Sequence, residues 1–190
     1  MIRPVVQALA ACLVTFIVCA VGYPLVVWGL AQLLFPSAAT GSLVYDRART
    51  VVGSELVAQA FSSARHFHPR PSAVDYKADA TGGSNLGSKN PDLRAKIAER
   101  VKALDVSEGL APADLVTASG SGIDPHISPE AAQFQAPRVA AARGLSLERV
   151  RALIEARTER SGTIIGAPPR VNVLLLNRDL EAEPTPSPPG

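Results

Sequence analysis

From residue 4 to residue 35 the chain carries no charged side chain; Arg3 precedes the run and Asp46 is the next charge after it. A soluble domain keeps a polar face on the helices that line its core. A transmembrane helix instead needs about 20 mostly apolar residues to cross a hydrocarbon core of roughly 30 Å. Residues 5–35 exceed that length, which predicts one membrane-spanning helix with slack for tilt. A secretory signal is the competing reading, with Arg3 as its charged start and Ser37-Ala38-Ala39 as a small-x-small cleavage site. Its apolar centre would hold only about 7–15 residues, far fewer than this run.

Within the run, Ala8, Cys12, Thr15, Cys19, Gly22, Val26 and Gly29 recur at alternating spacings of four and three. All but Val26 are small. Helices in lipid associate by close backbone approach along small residues, so Cys12, Thr15, Cys19, Gly22 and Gly29 are candidates for packing against a partner helix. Small residues are also frequent in any transmembrane helix, and that plainer reading stands beside the first. Pro24 predicts a kink that swings this seam partway along. Both cysteines lie in the run, so the rest of the chain has no disulfide framework and no cysteine metal site.

The charge balance is 19 basic against 17 acidic residues, a formal +2. No Lys/Arg block and no aromatic platform stands out, which argues against nucleic acid as a partner. Arg3 flanks one side of the span, while Arg47 and Arg49, offset by Asp46, follow the other. That arrangement leans to an inside N-terminus with the following domain outside.

Beyond the span, residues 42–180 read as one mixed α/β (α+β) soluble domain and residues 181–190 as a disordered, Pro-rich tail. Strands are expected at 42–45 and 50–52, then a short helix capped by Ser54 with Leu56, Val57, Ala60 and Phe61 on its faces. Residues 62–89, with His68-Pro69-Arg70-Pro71 and Thr81-Gly82-Gly83-Ser84-Asn85, read as a long loop. Asn90-Pro91-Asp92 starts an amphipathic helix that runs to about Asp105. Leu115-Val116-Thr117 is a strand candidate. Ser128-Pro129-Glu130 starts a second helix, which Pro137 interrupts or restarts and Gly144 closes. Ser146 caps a third helix that buries Leu147, Val150, Leu153 and Ile154. Residues 170–177 have the composition of a strand buried on both faces.

Three constellations bear on chemistry. His66-x-His68 with Asp124-x-His126 has the ligand types of a metal site, set against simple backbone hydrogen bonding by the same residues. Ser119, Ser121, Asp124 and His126 are the residue types of a nucleophilic triad, and with the metal reading they carry the remote alternative of a membrane-anchored metal-dependent hydrolase. There is no G-x-S-x-G elbow around either serine. Residues 119–128 also suit an anion, with small residues exposing backbone N–H groups ahead of a helix N-terminus at Pro129. The alternative is a tightly packed glycine-serine turn, in which Gly120 and Gly122 allow close approach of a partner surface or a strained φ. No G-x-x-x-x-G-K-[ST] is present, so the chain is not read as a self-sufficient ATPase.

These blocks together have a resemblance. Tyr23-Pro24, Gly53-Ser54-x-Leu56-x-x-Gln59-x-Phe61, Phe67-His68-x-Arg70-Pro71-Ser72-Ala73 and Gly82-Gly83-Ser84-Asn85-Leu86 stand in order. An unbroken block from Val116 to Ser128 follows, then Gln135, Arg138-Val139-Ala140, Ala142-Arg143 and Val171-Asn172-Val173-Leu174-x-Leu176-Asn177. In these the chain resembles the C subunit of the bacterial Kdp potassium-transporting P-type ATPase, nearly end to end except for the Pro-rich tail. The resemblance implies a non-catalytic, single-span subunit of the cytoplasmic (inner) membrane. Its implied partners are a channel-like A subunit, an ATP-hydrolysing B subunit, a small single-span subunit and membrane lipid. It implies no cofactor of its own, with ATP as a possible ligand: the subunit is described as a catalytic chaperone that raises the B subunit's affinity for ATP. The other description puts its soluble domain outside, at the potassium entrance, with no nucleotide of its own. On either description the candidate nucleotide or partner contacts are His68, Arg70, Ser84, Asn85, Thr117, Ser119, Ser121, Asp124, His126, Ser128, Gln135 and Arg138.

Overall fold

The computed structural model describes residues 2–46, 48–104, 110–161 and 166–183. The chain divides into two compact units, Met1–Val51 and Val52–Gly190. The first is dominated by one helix, Ile2–Leu34, apolar and long enough to cross a membrane. At about 1.5 Å per residue it is roughly 50 Å long. No residue in it is buried within the chain.

Pro24 does not end this helix. The chain runs as α1 (Ile2–Phe16), a π turn (Ile17–Gly22) and α2 (Tyr23–Leu34), with Pro24 in the first turn of α2. Proline has no N–H and its ring crowds the carbonyl four residues back. The π turn relieves both, and Tyr23 N–H reaches back five residues to Val18 O. Such a turn adds about one residue, which rotates everything after it by roughly 100°. The seam of small residues is therefore divided, with Ala8, Cys12 and Thr15 before the turn and Val26 and Gly29 on a different face after it. Thr15 Oγ1 donates to Ala11 O at 2.9 Å, so its hydroxyl is satisfied within the helix. The one-turn helix α3 (Pro36–Ala39) and β1 (Leu43–Tyr45) complete this unit, and β2 (Val51–Ser54) leads into the next.

The second unit is the mixed helix-and-strand domain expected from the sequence. Its elements are α4 (Pro91–Ala103), α5 (Ala113–Val116), β3 (His126–Ile127), α6 (Pro129–Arg143), α7 (Leu147–Ala156), β4 (Thr158–Glu159), β5 (Arg170–Asn172) and α8 (Val173–Ala182). β5 is central in an antiparallel β3-β5-β4 sheet, with His126 opposite Asn172 and Thr158 opposite Val171. The core gathers Phe67, Ile127, Val139, Val150, Ile154, Val171, Leu176 and Leu180. α6 presents Ala131, Ala132, Ala136 and Ala140 to it, all buried.

The helix starts follow their caps. Asn90 Oδ1 accepts from Asp92 N, Ser128 Oγ from Ala131 N, and Ser146 Oγ from Arg149 N. Gly144 ends α6 at φ +69°. α4 ends at Ala103; Asp105 lies outside the described residues. Helix α6 passes through Pro137 unbroken because that proline is on the exposed face, where a freed carbonyl meets water.

Four expectations are corrected. No helix follows Ser54: its Oγ accepts from Leu56 N, and Ala58 N bonds Ile123 O instead. The expected strand at 115–117 is the one-turn helix α5 and its cap, with Thr117 N and Oγ1 both donating to Ala113 O. The run at 170–177 is a strand only to Asn172, whose side chain caps α8 by accepting from Leu175 N at 3.2 Å. Val173, Leu176 and Leu180 then recur at helical spacing and are all buried. Lastly, Glu181 and Ala182 belong to α8, and Glu183 pairs with Arg149 at 2.6 Å; residues 184–190 lie outside the described residues.

Between β2 and α4 the described chain has no helix or strand apart from turns. Its buried part is held instead by two side-chain amides. Asn177 on α8 accepts from Phe67 N at 2.8 Å and donates to Phe67 O at 2.9 Å. Gln135 on α6 does the same for His68, at 2.8 and 3.1 Å. Each amide stands in for a missing neighbouring strand. Asn177→Leu is expected to lower the stability of the purified chain by about 2–4 kcal/mol, because two buried backbone groups lose their partners. A urea midpoint within error of wild type would contradict this.

Candidate functional site

The loop preceding α6 and the loop preceding α4 meet. Ser119 N donates to Pro71 O at 2.9 Å, and Gly82 N donates to Ser121 O at 2.8 Å. Gly83 lies against Gly120, where an added Cβ would come within 3.0 Å of the Gly120 carbonyl oxygen. Gly122 has φ +74°, and a Cβ there would sit 2.6 Å from Val74 Cγ2 and 2.7 Å from Gly82 O. Its glycine is required by the chain's own packing. Gly120 differs: a Cβ there meets nothing within 4 Å. Exposed Gly120 and Ser121 thus form a tip held firmly on both flanks.

Around that tip the ionisable groups pair with one another. Arg70 Nη1 lies 3.5 Å from Asp124 Oδ2, and Arg70 Nη2 donates to Ala118 O at 3.5 Å. Arg70 Nε is buried with no hydrogen-bond partner among the described residues. Asp124 Oδ1 accepts from His126 N at 3.0 Å and lies 3.5 Å from His126 Nδ1. Burial pushes the Asp124 carboxyl up, but the His126 hydrogen bonds and the charges of His126 and Arg70 outweigh it and hold the carboxyl below its ordinary value. Tyr76 and Ser72 brace the same segment: Tyr76 Oη donates to Arg70 O, and Ser72 Oγ accepts from Val74 N and Tyr76 N.

The backbone N–H groups of 119–128 are largely committed. Gly122 N donates to Ser119 Oγ, Ile123 N to Ser121 Oγ and His126 N to Asp124. At the start of α6, Ser128 N donates to Asp114 Oδ2 at 2.6 Å, so the chain's own carboxylate occupies the place an anion would take. Ser119 Oγ and Ser121 Oγ lie 3.3 Å apart, and neither bonds His126. The residues named for a triad are neighbours without triad geometry.

His68, Gln135 and Arg138 form a separate group. Arg138 donates to Ala64 O, His66 O and Gln135 Oε1, and Arg143 Nε donates to Arg65 O. His68 Nε2 donates to Ser63 O at 3.1 Å, whereas His66 Nε2 pairs with Glu181 at 3.2 Å. The two histidines thus serve different partners, and among the described residues no set of three potential metal ligands comes together. Burial pushes the His68 imidazole down from its ordinary value against the bond to Ser63, and the Arg138 and His66 charges add to that. Ser84 is half-buried beside Gly83, and Asn85 is exposed in the left-handed region at φ +53°. Thr117 is spent on its turn.

Asp114 and Tyr76 are residues of this region that sequence reasoning did not name, while Ser72, Arg143, Asn172 and Asn177 stood in the resemblance but not among the candidate contacts. Asn172 and Asn177, amides within an apolar run, carried the clearest signal.

Comparison with known proteins is direct. The family model "KdpC: K+-transporting ATPase, c chain" matches residues 5–182. A potassium-transporting ATPase KdpC subunit of Geobacter metallireducens is 52% identical over 181 residues, covering 92% of this chain and 95% of the relative. The KdpC subunit of Myxococcus xanthus is 50% identical over 92% of this chain and 85% of its own length. That of Pseudomonas savastanoi is 49% identical over 94% and 93%.

Two outcomes follow from the geometry. Gly122→Ala is expected to cost about 2 kcal/mol or more, the left-handed penalty adding to a steric one; an unchanged melting temperature would refute it. His68 is lowered in the folded state, so its contribution is complete above the ordinary histidine value of about 6.5 and lost as pH falls through the lower folded value. Wild-type urea midpoints should therefore drop more between neutral and mildly acid pH than those of His68→Gln. Parallel pH profiles would show that His68 does not carry this term.

Proposed function

The chain belongs to the KdpC family, the c chain of K+-transporting ATPases, and on that premise we propose that it works as a contact subunit and not as a nucleotide site. As a KdpC subunit it is an accessory component of the potassium-transporting complex and not its catalytic one. In this reading Ile2–Leu34 crosses the cytoplasmic membrane with the N-terminus inside. The Val52–Gly190 unit lies outside, where it meets the potassium-conducting A subunit, and the B subunit hydrolyses ATP on the far side. The small single-span subunit and the A subunit are the candidate neighbours of the helix.

The observation that carries this is the tip at Gly120 and Ser121. It is exposed, braced by Pro71 and Gly82, and ringed by charges already paired within the chain. A braced, exposed tip without free chemistry suits a docking surface. The second reading is the catalytic chaperone that raises the B subunit's affinity for ATP. It draws support from the polar loop 119–128, but the Asp114 carboxylate and the committed N–H groups there leave little for a phosphate.

Gly120→Trp separates the two. The side chain projects into open space, so the purified chain should keep its melting temperature. Cells carrying it should grow poorly when potassium is limiting, and less A subunit should co-purify. Normal growth with full co-purification would sink the contact reading. Saturable ATP retention by the wild-type chain in equilibrium dialysis would favour the chaperone.

A further inference from the structure

The Met1–Val51 unit leaves an apolar face uncovered next to its long helix. In β1, Leu43 is 39% and Tyr45 49% exposed, while Val44 between them is buried. Strand alternation puts Leu43 and Tyr45 on one face. Val51, just past the following turn, is 49% exposed. That turn is tight, with Asp46 N donating to Thr50 O at 3.0 Å and Thr50 N to Asp46 Oδ1 at 2.8 Å.

The path from helix to strand has no slack. Phe35, at φ −138°, breaks the helix, and Pro36–Ala39 forms one further turn. A Schellman motif then reverses the chain: Gly41 is at φ +88°, Ser42 N donates to Ser37 O at 2.8 Å, and Gly41 N to Ala38 O at 3.1 Å. Thr40 Oγ1 adds a bond to Pro36 O. Even with every non-helical residue extended, Leu43 stays within about 25 Å of Leu34, and the reversal shortens that. The helix end is itself apolar and uncovered, with Leu33 77%, Leu34 61% and Phe35 66% exposed. Uncovered apolar side chains therefore stand at both ends of this short connection, at the helix end and in β1.

We propose that β1 lies in the headgroup layer of the bilayer, with its Leu43–Tyr45 face against the glycerol and upper acyl region of the phospholipids. The proposal rests on the reading that Ile2–Leu34 spans the membrane, and adds a second lipid contact to it. A tyrosine suits that layer because its ring is apolar and its hydroxyl stays hydrated. Arg49, exposed in the adjoining turn, carries the charge that phosphate headgroups attract. Lipid is the occupant that continuity with the helix favours. A partner subunit beside the helix, or a second copy of the chain, is the alternative occupant that the measurement separates from lipid.

The test uses the full chain in phosphatidylcholine–phosphatidylglycerol vesicles containing lipids brominated high or low on the acyl chain. Trp28 is the one tryptophan. In the native chain its quenching by bromine at either depth reports the span; no quenching would remove the premise and the proposal with it. In a Trp28→Phe background, Tyr45→Trp is expected to lose emission with the high bromines and far less with the low ones. Leu43→Trp, on the same face, repeats the measurement should Tyr45→Trp misfold. With Trp28 quenched, an unquenched indole at these positions overturns the lipid contact alone. Red-shifted emission would then place the face in water, and blue-shifted emission would place it under protein.

Discussion

The second unit depends on how the buried backbone between β2 and α4 is satisfied outside its sheet. A buried, unbonded amide or carbonyl costs about 1–3 kcal/mol, and the stretch between β2 and α4 sends Phe67, fully buried, into the core. Asn177 and Gln135 resolve this by holding two successive residues, each through both donor and acceptor. Arg138 and Arg143 then bind the carbonyls of Ala64, Arg65 and His66. Two helices distant in sequence thereby become one platform with the loop. The segment that includes Arg70 and Ser72 starts from a fixed place, and the glycine-serine loop packs on that segment.

How far the sequence reveals this depends on the range of the forces involved. Caps and glycine stops act within a few residues, so Asn90, Ser128, Gly144 and Ser146 mark their helix ends legibly. The uncharged run is legible for the same reason, since solvent preference is summed along it. The run at 170–177 misleads because a short apolar stretch fits a buried strand or a buried helix equally well. Asn172 as a cap and Leu180 in phase with Val173 decide for the helix. Pairings across long separations, such as Asn177 with Phe67 or Asp114 with Ser128, leave no local pattern. Gly120 and Gly122 make the point sharply: two residues apart in one motif, one is held by φ and contact and the other faces open space. The chemistry-bearing types at 119–126 do converge, but onto each other.

In the long helix the same bookkeeping is done by a π turn. Hydrocarbon offers no water to a freed carbonyl, so proline is tolerated where the helix can reroute its bonds. Tyr23 to Val18 is that rerouting. Its consequence is rotational: a partner helix following Ala8, Cys12 and Thr15 meets Tyr23 and Val27, not Val26 and Gly29, beyond the turn. A periodicity read at a constant 3.6 residues per turn misses this, because the inserted residue changes phase without changing composition.

The braces around Gly120 also bear on why such a loop would be built from committed groups. Association costs freedom, and every loop ordered on binding is charged against affinity. Here the ordering is done when the chain folds, by hydrogen bonds donated to the Pro71 and Ser121 carbonyls and by the close packing around Gly122. What is left at the surface is small and nearly uncharged: Gly120, Ser121, and Asn85 already in its left-handed conformation. Such a surface gives up little hydration when covered. On the contact reading proposed above, recognition by this surface comes from shape, and the paired charges beneath it serve by holding that shape.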